Sequence, residues 1–130
     1  MSKKAAVKII ALLKRKPGLT MEAFIHYYEN NHAPLVLKIA PFIVDYRRNY
    51  ARSGSALGSL DGGAPDCDVI TEAWFATKED FDKFNAEAVK PENRDVIIRD
   101  ELNFLDRGSM RLFIVEERES QISARIGASS

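Results

Sequence analysis

The stretch FIHYYENNHAPLVLKI, residues 24–39, combines a helical apolar stripe with one of the two histidines of the chain. A helix continued through it at about 100° per residue places one set of side chains within an arc of about 120°. That set consists of Met21, Phe24, Ile25, Tyr28, His32, Leu35, Val36 and Ile39. We expect this face to be buried with His32, and His26, nearly opposite Phe24, to be exposed. Because imidazole changes its protonation close to neutral pH, His32 is the first candidate for proton transfer.

The course of this helix depends on Pro34. Thr20 is well placed to cap the beginning of the helix. Pro34 has no N–H to donate to the carbonyl of Asn30, and its ring would clash with that carbonyl. The helix therefore either kinks at this point or restarts with Asn31 or His32 as a new cap. Both alternatives place His32 beside a break in the backbone hydrogen bonds.

Outward from this helix, the apolar pattern alternates between strand and helix periods in the order β, α, β, β, α, β. Strands are predicted at residues 6–13, 43–51, 68–77 and 110–116. Thr77 is placed to cap a second helix, and Pro91 opens a further helical segment that Gly108 ends. The order predicts an α+β fold, a ferredoxin-like βαββαβ subunit with an antiparallel four-stranded sheet. Helices on one side leave an apolar sheet face uncovered, so we expect a homodimer.

The composition indicates one domain in residues 1–118 and a disordered tail in residues 119–130, where apolar residues follow no period. Nineteen basic residues balance nineteen acidic ones, so neither nucleic acid nor a membrane is expected as a partner. No apolar stretch approaches the roughly 20 residues that span a bilayer. The single Cys67 can form no intramolecular disulfide, which fits a cytoplasmic protein without structural zinc.

Residues 52–67 are rich in Gly, Ser and Pro. This segment is too long for a tight hairpin and is interpreted as a flexible loop. It is either a lid over a pocket or a variable decoration, and the residues leave both interpretations open.

Proton transfer is the chemistry that the residues favour. The sequence has no GxSxG motif, no glycine-rich phosphate loop and no HExxH pair, so we expect neither a cofactor nor a metal. A metal held by His32 with Glu72 or Asp45 would rest on too few ligands. His32 and Glu72 are the candidate catalytic residues. Their structural alternatives are a histidine that caps the broken helix and a glutamate paired across strands with Arg48 or Arg111.

Two further groups of side chains have both a functional and a structural interpretation. Tyr28, Tyr46 and Trp74 could line an aromatic pocket, but their spacing is equally typical of a core. The charge run RDELNFLDR, residues 99–107, is interpreted as a solvated helix face with internal ion pairs and is given no role.

Several segments of the chain resemble the EthD family. KRKPGLTMEAFIHYYENNHAPL, residues 14–35, is similar to the opening of that family, whose helix ends in Tyr-x-x-x-His-Ala-Pro-Leu; Tyr28 and His32 stand in those positions here. Similar segments continue downstream as DVITEAWF at 68–75, DELNFLD at 100–106 and FIVEE at 113–117. The resemblance implies a dimeric α/β barrel. Proteins with this barrel include decarboxylases, cyclases, isomerases and cofactor-free oxygenases that act on small, often aromatic or polyketide-like molecules.

The first functional hypothesis is a cofactor-independent enzyme in which His32 moves a proton on an aromatic or polyketide-like molecule. Tyr28 or Tyr46 would assist, and Glu72 would accept a hydrogen bond that orients His32, in a lyase reaction of the decarboxylase, dehydratase or cyclase type. The expected substrate-binding residues are Phe24, Tyr28, Tyr46, Arg48 and Trp74. The alternatives are a non-enzymatic binding or accessory protein of an oxidative degradation pathway and a cofactor-free oxygenase or oxidoreductase.

Overall fold

The computed structural model describes residues 7–52 and 66–122. The proposed lid or decoration at residues 52–67 lies almost entirely outside these ranges, as does the larger part of the tail expected to be disordered, at residues 119–130. In the described ranges, no helix is both long and apolar enough to cross a bilayer.

The four predicted strands are confirmed, each within two residues of its expected bounds. They are β1 Val7–Leu13, β2 Ile43–Tyr50, β3 Val69–Phe75 and β4 Arg111–Val115. The strands form one sheet in the order β2-β3-β1-β4, and every neighbouring pair is antiparallel. The two strands of each βαβ half are therefore not neighbours: β3 lies between β1 and β2, and β1 lies between β3 and β4. This is the ferredoxin-like α+β arrangement predicted from the element order.

The first helical region continues through Pro34 by widening. Helix α1, Met21–Tyr27, passes into a π-helical turn, Tyr28–His32, and then into α2, Ala33–Ile39. The N–H of Ala33 bonds to the carbonyl of Tyr28, five residues back, so the proline stands in the first turn of α2. A restart capped by Asn31 or His32 is therefore wrong, since His32 has helical dihedral angles and makes no capping bond.

Two further helices follow β3. Helix α3, Lys78–Ala88, begins at the predicted cap, where Thr77 Oγ1 accepts a hydrogen bond of 3.0 Å from the N–H of Asp80. Helix α4, Pro91–Leu102, ends six residues before Gly108, which instead lies in the 3₁₀ turn Arg107–Ser109. After α4 the chain turns back toward the sheet, where Leu105 forms an isolated antiparallel β-bridge with Arg15.

Strand alternation divides the sheet into two faces. Toward the helices point Ile9, Ala11, Leu13, Val69, Thr71 and Ala73, which line a cavity or join the core. The opposite face carries Lys8, Ile10, Leu12, Ile70, Glu72, Trp74 and Phe113, aligned across the strands. We call this second set the outer face. On this face Ile70 and Phe113 are exposed, whereas Trp74 is buried.

Phe104 is the residue on which the packing of α4 should depend most. It is fully buried, and its ring lies 5.0 to 5.6 Å from those of Tyr27, His32, Tyr28 and Phe24. Phe104→Ala should lower the free energy of unfolding by about 3–5 kcal/mol, because it leaves a large cavity among these rings. Urea denaturation measures the change. The control Leu102→Ala, at an exposed position of α4, should change it by no more than about 0.5 kcal/mol.

Candidate functional site

An apolar cavity of about 180 Å³ lies between the sheet and the helices. Most of its wall is aliphatic, which makes it an environment where hydrogen bonds and charges interact strongly. The polar side chains in the wall are those of Tyr28, His32, Tyr46, Thr71 and Glu101. The predicted burial of His32 is confirmed, since 6% of its surface is exposed, and His26 is exposed as expected.

His32 forms a pair with Asp100 of α4. Its Nδ1 lies 2.6 Å from Oδ2 of Asp100, and the other carboxylate oxygen accepts a hydrogen bond of 2.7 Å from the hydroxyl of Tyr27. The amide of Asn103 donates to that same hydroxyl at 2.8 Å. Both oxygens of this nearly buried carboxylate are therefore occupied, which holds it in one orientation against the imidazole.

The hydrogen bond to Asp100 determines which nitrogen of His32 can act. A carboxylate is an acceptor only, so Nδ1 carries a proton and donates it to this bond. No described residue bonds to Nε2, which leaves that nitrogen for a molecule in the cavity. A histidine oriented by a carboxylate on one nitrogen, with the other directed to a reactant, is the arrangement of a general base.

Two tyrosines, the buried Tyr28 and the half-buried Tyr46, supply hydroxyl groups to the same cavity. Tyr28 Oη and Thr71 Oγ1 share a hydrogen bond of 2.6 Å. Burial raises the pKa of Tyr28, and burial together with the neighbouring Tyr28 raises the pKa of Tyr46 well above its ordinary value. Both phenols are therefore protonated near neutral pH and can donate a hydrogen bond to a negative oxygen.

Glu72 does not meet His32, and the expectation that it orients the imidazole is corrected. It lies on the outer face, where its carboxylate is 3.0 Å from Nζ of Lys8 and 2.9 Å from the amide of Asn49. Burial opposes ionisation of Glu72, but these two partners outweigh it and lower its pKa. Thr71 and Ala73, its neighbours in sequence, point to the cavity instead.

Trp74 also belongs to the outer face and is absent from the cavity wall. Lys8 and Arg47 lie over its ring, at 4.4 and 5.4 Å from the centroid. Of the other residues expected to bind substrate, Tyr28 and Tyr46 line the cavity. Phe24 is fully buried and packs against aromatic rings instead of lining the cavity.

Arg48 points to the helix side of the sheet but is held outside the cavity wall. Its guanidinium bonds to both oxygens of Glu29, at 2.6 and 2.9 Å. The hydroxyl of Tyr50 donates to the same carboxylate at 2.5 Å. The bonds from Arg48 are the main reason why the pKa of Glu29 is lowered. This cluster ties the first helix to β2, which is a structural task.

The sequence interpretation missed Asp100 and Glu101. Both belong to the run RDELNFLDR, for which the sequence predicts a solvated face, but Asp100 bonds to His32 and Glu101 lines the cavity at 8% exposure. The signal that could have found them is the segment DELNFLD, one of those that carry the resemblance to EthD proteins.

A metal centre finds no support in the part of the chain that the structure describes. Within it, no three His, Cys, Asp or Glu side chains come together in a group that could hold an ion.

The fold and the site together define a ferredoxin-like α+β protein with a partly open cavity and, in the cavity wall, a histidine hydrogen-bonded to a carboxylate. Residues 16–108, most of the chain, match the EthD domain. The protein belongs to the EthD family. No curated protein sequence matches the chain.

Solved structures agree with this assignment. An EthD family protein from Bacillus halodurans is 27% identical, with a TM-score of 0.58 over 86% of this chain and 98% of its own. An EthD-like protein from Ralstonia eutropha is 20% identical, with a TM-score of 0.62 over 92% of this chain and 98% of its own. A dimeric ferredoxin-like protein of unknown function from Thermobifida fusca is 17% identical, with a TM-score of 0.50 over 85% and 90%.

The tautomers of the two histidines test the geometry of the pair. In alkaline buffer, where imidazole is neutral, ¹⁵N–¹H correlation NMR should show His32 protonated on Nδ1. His26, whose Nδ1 faces the amide of Asn30 at 3.3 Å, should be protonated on Nε2 and serves as an internal reference.

In Asp100→Asn, the new amide should donate to Nδ1 of His32 and move its proton to Nε2. The matched change Asp95→Asn, at an exposed position of α4, should leave both tautomers as they are. Protonation of His32 on Nε2 in the unmodified protein would contradict the orientation assigned to Asp100.

Proposed function

We propose that the protein is a small cofactor-independent enzyme that moves a proton on a single-ring aromatic or polyketide-like molecule. The observation that carries this proposal is the His32–Asp100 pair in the wall of an apolar cavity. An imidazole whose other nitrogen is fixed by a carboxylate needs no cofactor to remove a proton from an activated carbon or hydroxyl.

The size of the cavity supports the limit to one ring. A cavity of about 150 Å³ with aliphatic and aromatic walls holds benzene. The cavity described above is about 180 Å³, enough for one ring with a small substituent. A fused polyketide would require the walls to move apart.

Three polar side chains of the wall, with Asp100 behind one of them, have a role in this proposal. Nε2 of His32 takes the proton, while Asp100 orients the ring and stabilises the imidazolium that forms. Tyr28 and Tyr46, protonated near neutral pH, donate hydrogen bonds to the oxygen on which negative charge develops. The reaction is of the dehydratase, cyclase or decarboxylase type, in which an enolate or phenolate is the intermediate.

Deuterium exchange tests this function without knowledge of the natural substrate. The probes are single-ring β-diketones and hydroxylated aromatic compounds in D₂O, and mass spectrometry measures the conversion of C–H to C–D. The protein should accelerate exchange over buffer for at least one probe. His32→Asn, whose amide can still donate to Asp100, should stay folded and lower that acceleration by about 10²–10⁴-fold per folded molecule, with the folded fraction read from its melting curve.

His26→Asn is the matched control, since it removes the exposed histidine of the same helical region and should keep full exchange. Asp100→Asn should lose most of the exchange, because the imidazole then presents a proton where it should present a lone pair. Undiminished exchange in folded His32→Asn would refute the catalytic assignment.

A binding or accessory protein is the second candidate, and the apolar cavity wall is the observation that favours it. Such a protein would take up single-ring compounds with no acceleration of exchange for any probe. Binding by the His32→Asn variant would then equal that of the unmodified protein.

We further propose that two copies associate through their outer faces into a dimeric α/β barrel. The exposed Phe113 and its neighbour Ile10 across the strands form an apolar surface that a single copy leaves in water. The similar protein from Thermobifida fusca is dimeric, which supports this association.

Light scattering should therefore show a dimer at micromolar concentration. Phe113→Glu should convert it to a monomer, because an unpaired carboxylate would be buried between the sheets. Val89→Glu, at an exposed position on the helix side, should leave the dimer intact. A monomer in the unmodified protein would exclude the barrel.

A further inference from the structure

Glu101 is a polar group of the cavity that the mechanism above does not use. It follows Asp100 at the end of α4, and consecutive helical positions point about 100° apart. Asp100 therefore meets His32 while Glu101 lines the cavity, with 8% of its surface exposed. A buried carboxylate is retained in an apolar wall only with partners that offset its loss of water.

Arg107 is one such partner and satisfies half of the carboxylate. Its Nε donates to Oε1 of Glu101 at 2.8 Å. No described side chain bonds to Oε2. Among the described residues, every fully buried polar atom of a side chain has a hydrogen-bond partner, so Oε2 is not fully buried. Since Glu101 lines the cavity, Oε2 is the oxygen of this carboxylate that remains for a ligand there.

The charges around the cavity restrict what can bind there. Among the described residues of its wall there is no lysine or arginine, and Glu101 is the carboxylate. A ligand that brought its own carboxylate would lose water, meet Glu101 and find no fixed cation. A ligand with a neutral hydroxyl would find a charged acceptor in a low-dielectric site, where such bonds are strong.

We propose that Glu101 accepts a hydrogen bond from the phenolic or enolic hydroxyl of a neutral single-ring ligand and so determines the specificity of the cavity. This inference rests on the proposed function, in which His32 acts on a ligand in the same cavity. What it adds concerns the binding of that ligand and not the catalytic step. Among the reaction types above, it favours dehydration or cyclisation of neutral enols over decarboxylation of an acid.

Three probes of similar size separate the contributions: phenol, toluene and benzoate. Dissociation constants are measured by NMR titration against the methyl signals of the cavity wall. Phenol should bind about 10- to 100-fold more tightly than toluene, the range expected for a hydrogen bond to a charged acceptor. Benzoate should bind more weakly than either.

Two variants of Glu101 keep the test independent of folding. Glu101→Leu should abolish the preference for phenol and leave toluene binding unchanged or stronger. Glu101→Gln keeps the shape and an oxygen for Arg107, so it should reduce the preference in part and allow benzoate to bind. Glu92→Gln, at an exposed position of α4, is the control and should bind all three probes as the unmodified protein does.

Equal binding of phenol and toluene, tight binding of benzoate to the unmodified protein, or no binding of any probe would overturn the inference. Its failure is distinguishable from that of the proposed function. If deuterium exchange does not depend on His32 but the preference for phenol still depends on Glu101, the catalytic proposal is refuted and the binding site stands. Exchange that depends on His32 with no phenol preference would refute the role of Glu101 alone.

Discussion

The hydrogen bond between His32 and Asp100 is the interaction on which the arrangement of the helices depends. Side chains 68 positions apart in the chain meet at 2.6 Å, each with little contact to water. A carboxylate there requires partners for both oxygens, and Tyr27 supplies the second. Tyr27 and His32, the two partners of Asp100, both belong to the first helical region. Their bonds to Asp100 therefore fix the position and the rotation of α4 relative to that region. Phe104, two residues after α4, fills the space beneath the pair.

The π-helical turn places His32 within this arrangement. One extra residue in a turn shifts the side chains that follow it, so the apolar face continues past the point where Pro34 would interrupt an α-helix. Phe24, Tyr28 and His32 thereby follow one another along the buried face, and Tyr28 contacts the ring of His32 at 5.2 Å. A regular helix with a proline kink would tilt α2 and open the cavity wall that Val36 and Ile39 complete.

Local patterns predict nearly all of the fold but only half of the site. The apolar period predicts the four strands and the burial of His32, and local residue types predict the helix caps at Thr20 and Thr77. These features depend on residues close in sequence. The partner of His32 is determined by tertiary packing. A charged run such as RDELNFLDR is typical of a solvated helix face when the residues that pack against it are unknown. The expectation that Glu72 orients His32 is wrong because alternation separates a strand into two sets without showing which set meets the helices.

The same alternation separates the cavity from the outer face of the sheet. Thr71 and Ala73 face the cavity, while Glu72 and Trp74, between and beside them, face outward. Covering the outer face with a second copy removes its charges from water, which is tolerable only if they are paired. Lys8 meets that condition, since it contacts both Glu72 and Glu117 and lies over Trp74. The charges of Lys8 and Glu72 are thus paired within one copy, which is compatible with the proposed association through this face.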